Sequence, residues 1–113
     1  MNSLWKMWVD ARTEEKALKL CERVLERMGR DASDKRAEPY PKTGGFVVSF
    51  AVGLEHAEWN DAVVEVIALG QRVAHGWALS GSIEDDPDGW SNRTSVAGVE
   101  SIQWTLVGAG AVA

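Results

Sequence analysis

Gly76-Trp77-Ala78-Leu79-Ser80-Gly81-Ser82-Ile83-Glu84, then Asp85-Asp86-Pro87-Asp88-Gly89-Trp90-Ser91-Asn92, then Gly98 to Val107, is the stretch on which the fold turns. The first run reads as a strand, the second as a long acidic excursion carrying a tryptophan, and the third as a second strand. Side chains alternate between the two faces of a strand. Trp77, Leu79 and Ile83 therefore share one face of the first strand, with Gly81 in the same row. Ile102, Trp104 and Leu106 share one face of the second, while Ser101, Gln103 and Thr105 point away. Two strands with a single apolar face are not stable alone, so other elements must cover that face.

The cover is found upstream. Thr13 is placed to cap a helix, with Glu14 and Glu15 in the first turn, where carboxylates suit the helix dipole. Ala17, Leu20, Cys21, Val24, Leu25 and Met28 fall at helical spacing and form one apolar stripe. Gly29 is the expected C-terminal stop. A second helix is expected from Trp59 or Asn60 to Ala74, with Asn60 as its cap and Val63, Val66, Ile67, Gly70, Val73 and Ala74 on the buried side. Gly70 costs about 1 kcal/mol of helix propensity, which close approach to the sheet would explain. His75-Gly76 is expected to end this helix.

Two more strands are expected, one ahead of each helix. Leu4 to Asp10 alternates, with Trp5, Met7 and Val9 on one side and Lys6, Trp8 and Asp10 on the other. Phe46 to Gly53 alternates Phe46, Val48, Phe50 and Val52 with Val47, Ser49 and Ala51, and reads as a central strand. Arg30 to Lys42 is polar and holds Pro39 and Pro41 around Tyr40. It is a connector or an edge strand, because proline is tolerated in sheets only at edges. Gly108 to Ala113 is small and apolar and is expected to fray.

The expected fold is therefore α+β: a two-layer sandwich, ferredoxin-like, with an antiparallel sheet of four or five strands and two helices on one face, in a single domain over residues 1–113. Such folds host many unrelated activities, so the likeness says little about function.

Composition narrows the function classes. At 113 residues the chain can bury roughly two-thirds of the surface its unfolded form exposes. The net charge of -5 argues against a nucleic-acid binder, which must neutralise phosphates, and against an anionic membrane surface. It suits a basic protein partner. One cysteine, Cys21, excludes an internal disulfide. Its place on the buried stripe makes it a packing residue rather than a nucleophile. The first residues show no secretory leader and no window approaches a membrane span, so a cytoplasmic location is expected.

Chemistry-bearing motifs are scarce. Glu84-Asp85-Asp86-Pro87-Asp88-Gly89 lacks the spacing and the closing glutamate of a calcium loop. It reads as a turn, or as an acidic prong for a basic cleft, and Trp90 beside it adds an interface residue. His56 and His75, the two histidines, do not supply a zinc set. No serine lies in a nucleophile elbow and no glycine run opens a helix as a phosphate loop. No metal or cofactor is expected. The far face of the sheet would carry small polar residues and Trp8, whose neighbours cannot bury it. Trp8 on such a face is either packed flat or the anchor of a docking surface for a partner or a second copy of the chain.

The functional expectation is a small acidic protein-binding protein without chemistry of its own, most concretely an immunity-type inhibitor of a basic toxin or enzyme. Its partner-binding residues would be Glu84, Asp85, Asp86, Asp88 and Trp90, with Trp8. The rival is a small dimeric α+β enzyme or ligand-binding module with a pocket lined by Trp8, His56 or His75.

Overall fold

The computed structural model describes residues 1–106, and the readings of Val107 and of Gly108 to Ala113 fall outside them. The first strand, β1, spans Asn2–Val9. Ser3, Trp5, Met7 and Val9 are buried along it, and the residues between them face the other way. Helix α1, Glu14–Met28, follows. The Thr13 side chain accepts the Lys16 N–H at 3.2 Å, and Gly29 ends the helix at φ 73° with its N–H on Leu25 and Glu26 carbonyls. Only glycine adopts that left-handed conformation without strain.

The polar segment with the two prolines is a strand, β2, Ser33–Tyr40. It lies at the sheet edge, as its prolines require, and a register shift between Ser33 and Arg36 interrupts its pairing with β3, Gly45–Gly53. The shift, the charged Lys35, Arg36 and Glu38, and Pro39 all protect an edge from pairing with another chain. Strand β3 is central and pairs with β1 so that Phe50 stands opposite Trp5 and Val48 opposite Met7. The rings of Trp5 and Phe50 stack with centroids 6.3 Å apart.

Helix α2 spans Trp59–Gln71. It is shorter than expected at its C-terminus. Glu58, not Asn60, is the N-cap residue, and it makes no side-chain capping bond. Ala74–His75 forms a two-residue strand, β4, so His75 does not cap a helix.

The stretch from Gly76 onward departs most from expectation. Trp77 lies outside any strand, and its indole N–H donates to the Gly70 and Ala74 carbonyls at 3.1 and 3.2 Å. Strand β5 is only Ala78–Ser80. Residues 82–85 turn the chain, and Asp88–Ser91, read as part of an acidic loop, forms strand β6. After a short β7, Arg93–Thr94, which pairs with β4, the chain enters β8, Val99–Thr105. Thus β5 and β8 are not hairpin partners: β6 pairs with both and separates them. Among the described residues the main sheet has six strands, not four or five, in the order β2-β3-β1-β8-β6-β5, and every neighbouring pair is antiparallel.

One face of this sheet and both helices share a continuous core: Trp5, Met7, Val48, Phe50, Ile102 and Trp104 meet Cys21, Val24, Met28, Val66 and Leu69. Cys21 is part of it, and burial, with Glu22 adding and Lys35 opposing, pushes its thiol up to about 11. Gly70 permits close packing: a Cβ there would sit 3.1 Å from the Trp77 ring and 3.5 Å from that of Trp104. Among the described residues no helix is long and apolar enough to cross a membrane.

Candidate functional site

The other face of the sheet is uncovered by any described helix. The paired registers map it strand by strand. One row crosses from Arg36 through Ser49, Lys6, Gln103 and Trp90 to Ala78. The row below crosses from Ala51 through Leu4, Thr105 and Asp88 to Ser80, and the row above holds Glu38, Val47, Trp8 and Ser101. Small side chains leave a trough of about 500 Å3, bordered by Leu4, Lys6, Asp34, Ser49, Ala51, Gln103 and Thr105. Asp10, expected on this face, lies outside the strands.

Trp8 is half-buried in its row, between Val47 and Ser101. Trp90 is 42% exposed and Leu4 is 52% exposed. These fractions matter because an antiparallel sheet with one solvated face normally presents polar residues there. Trp8 and Trp90 lie two strands and one row apart, roughly 12 Å by strand and residue spacing. The expected partner-binding residues thus divide into two groups. Trp8, Trp90 and Asp88 share the open face. Glu84, Asp85 and Asp86 sit at the turn between β5 and β6, at its rim.

That turn is built from its own hydrogen bonds. The Asp85 and Asp86 N–H groups donate to the Ser82 carbonyl, and the Asp86 carboxylate accepts the Ser82 N–H at 3.1 Å. Gly81 holds φ 77°, with the Asp86 carbonyl oxygen 2.3 Å from where a Cβ would be. Ser80 donates its hydroxyl to the Asp88 carboxylate across β5 and β6. Among the described residues, no three histidine, cysteine, aspartate or glutamate side chains come together as metal ligands do. Leu79 keeps the helix-facing row, opposite Gly89 and beside Trp104, but at the sheet margin it stays 52% exposed, and Ile83, in the turn, is 58% exposed. They border a smaller groove with Val63, Ile67 and Pro87, and the Ile83 carbonyl accepts the Trp59 indole N–H at 2.7 Å.

A second polar constellation went unread in the sequence. Glu65 lies on the buried side of α2, next to Val66 and one turn from Ala62 and Leu69, yet only 7% of it is exposed. Its carboxylate accepts the Glu55 and His56 N–H groups at 2.9 and 3.0 Å, and Arg30 Nη1 at 2.7 Å. His56 Nδ1 is 2.7 Å away. Burial pushes the carboxyl up, but the Glu55 N–H, the His56 ring, Arg30 and the His56 N–H outweigh it and bring it down to about 2. The contact with Glu65 in turn raises His56, against the opposing effect of desolvation. The legible signal was an acid at a stripe position of an apolar helix, with an arginine just past the end of the other helix. The cluster ties α1, α2 and the 54–57 link together, on the helical side of the molecule. His56 is spoken for by it, and His75, in β4, does not approach the trough.

No protein-family model, curated protein or solved structure matches the chain.

Proposed function

We propose that the chain is a small acidic protein-binding protein, most concretely an immunity-type inhibitor of a basic toxin or enzyme in the cytoplasm, and that it docks through its open sheet face. The observation that carries this reading is a sheet face that no described helix covers, bearing Trp8, Trp90 and Leu4, in a chain of net charge -5. Exposed aromatics with a polar surround are the composition of binding hot spots. The two groups of residues would divide the work. Trp8 and Trp90 supply buried contact area, which sets the dissociation rate. Glu84, Asp85 and Asp86 at the rim supply the field that speeds encounter with a cationic surface.

The finer fold assignment belongs to the same proposal. The ferredoxin-like reading is supported by the order β2-β3-β1-β8, with α1 between β1 and β2 and α2 after β3, as in a split βαβ plan, with β6 and β5 as additions to that sheet. The other functional reading, an enzyme or ligand-binding module with a pocket of tryptophan and histidine, draws no support from the histidines, since neither borders the trough.

The test is capture from the source cell's lysate with three baits: the unaltered chain, Trp8→Ala, and Asp85→Lys with Asp86→Lys. A basic protein is expected on the first bait. Trp8→Ala is expected to weaken it about tenfold through faster dissociation, and the charge reversal to slow association and flatten the salt dependence. Capture of acidic or neutral proteins only, indifferent to both variants, would defeat the proposal, and a dimer through the same face would appear as a doubled mass that Trp8→Ala abolishes.

A further inference from the structure

We infer that the β6 end of the open face is a subsite for an arginine guanidinium presented by the partner. The inference rests on the docking reading above and names the partner chemistry that this part of the face would take.

Trp90 and Asp88 are two residues apart on β6 and so project from the same face, roughly 7 Å apart along the strand. Their neighbours are fixed by the register. Trp90 stands between Ala78 on β5 and Gln103 on β8, and Asp88 between Ser80 and Thr105. On the outer side both neighbours are small, so the indole is 42% exposed, although it lies in a paired strand. The Asp88 carboxylate is held by the Ser80 hydroxyl, which fixes its direction and leaves acceptor capacity for a second donor. Thr105 and Gln103 add a hydroxyl and an amide oxygen on the inner side.

An aromatic surface beside an oriented carboxylate suits a planar cation. A guanidinium can lie on an indole by cation–π attraction while its edge N–H groups donate to a carboxylate. A lysine ammonium can satisfy the charge but not the stack and the fork together. The one cation close by on the face, Lys6, lies in the Trp90 row but across β8, with Gln103 between them. The acidic turn at residues 84–86 borders the same end and favours a positive occupant.

The experiment uses the full chain and three peptides: acetyl-Gly-Arg-Gly-amide and its lysine and citrulline counterparts. Nuclear magnetic resonance follows the indole N–H signals, assigned by single tryptophan substitutions. The arginine peptide is expected to shift the Trp90 signal saturably and to leave the buried Trp5 and Trp104 unmoved. The lysine peptide should bind about fivefold more weakly, and the uncharged citrulline peptide should not saturate. Asp88→Asn and Trp90→Phe, each with its thermal midpoint checked, should weaken the arginine peptide about fivefold and about twofold. Equal binding of arginine and citrulline peptides, or a response at Trp8 without one at Trp90, would overturn the subsite. If the arginine peptide leaves Trp90 unmoved while Trp8→Ala still weakens capture of a basic partner about tenfold, the subsite fails and the docking face stands. If neither responds, both fail.

Discussion

Replacing Glu65 with alanine is expected to lower the free energy of unfolding by about 3 kcal/mol. The reason is the company this carboxylate keeps. It is buried, and it receives two backbone N–H groups of the 54–57 link, the Arg30 guanidinium and the His56 ring. Removing it leaves a partly buried arginine without its closest counter-charge and two backbone donors without an acceptor. Arg30 retains the exposed Glu55 carboxylate at 3.4 Å, which screening makes a weak substitute. For a chain of this size the thermal midpoint should fall by roughly 12 °C. Glu65→Gln keeps the shape and one acceptor but loses the charge, and should lie between the two. Urea unfolding followed by tryptophan fluorescence measures both. A loss below about 0.5 kcal/mol, the size of an ordinary surface substitution, would mean that the cluster contributes no more than an exposed ion pair.

The same cluster fixes the sign of the pH dependence. Glu65 is lowered from 4.5 to about 2 in the folded chain, so its contribution is complete above 4.5 and is lost as the pH falls toward 2. His56 is raised from 6.5 by its bond to Glu65, so its contribution is complete below 6.5 and is lost as the pH rises through its folded value. The cluster is therefore most effective between 4.5 and 6.5. The charges facing it are Arg30 at the end of α1, Glu55 on the link and Asp61 in the first turn of α2. His56→Ala should flatten the alkaline side of the stability profile and leave the acid side in place. An acid side that flattens equally would show that Glu65 depends on the imidazole more than on Arg30 and the backbone.

Period and punctuation made most of the layered framework legible. Thr13 and Gly29 bounded α1 because both ends of a helix leave backbone groups that a hydroxyl and a left-handed glycine satisfy. Trp5, Met7 and Val9 against Lys6 and Trp8 gave away β1 and its two faces, because a strand has no other period. The stretch from Trp77 to Ser91 resisted for a physical reason. Asp, Pro and Gly are the residues of turns, and Asp88-Gly89-Trp90-Ser91 carries two of them into a paired strand. Its strand character comes from tertiary pairing: Ser91 lies opposite Ile102 and Gly89 opposite Trp104. With β6 unread, Trp90 was legible only as a loop tryptophan near acids, and its place on the same face as Trp8 could not be seen. Glu65 was hidden differently, since its partners are brought together by helix packing and not by any spacing in the chain.

Gly89→Ala is expected to cost about 3 kcal/mol, for a reason unrelated to turns. A Cβ at this position would lie 2.7 Å from the Trp104 Nε1 and 2.8 and 3.0 Å from two carbons of the same ring. The ring is only 1% exposed and has nowhere to go. Gly70 of α2 lies on the helical side, where a Cβ would come to 3.5 Å from the same indole, so the ring has little room to retreat from a methyl at position 89. Interiors packed to this density turn one added methyl into strain on a large buried ring. Gly44→Ala is the control: its Cβ would meet nothing within 4 Å, so only the strain of a φ of 76° remains, about 1 kcal/mol. Trp104→Phe offers the decisive check. The smaller ring should be destabilising by itself, yet added to Gly89→Ala it should cost at least about 1 kcal/mol less than the sum of the two changes. Additive costs, or a neutral Gly89→Ala, would mean that β6 is not held against Trp104 and would remove the support that keeps Asp88 and Trp90 on one face.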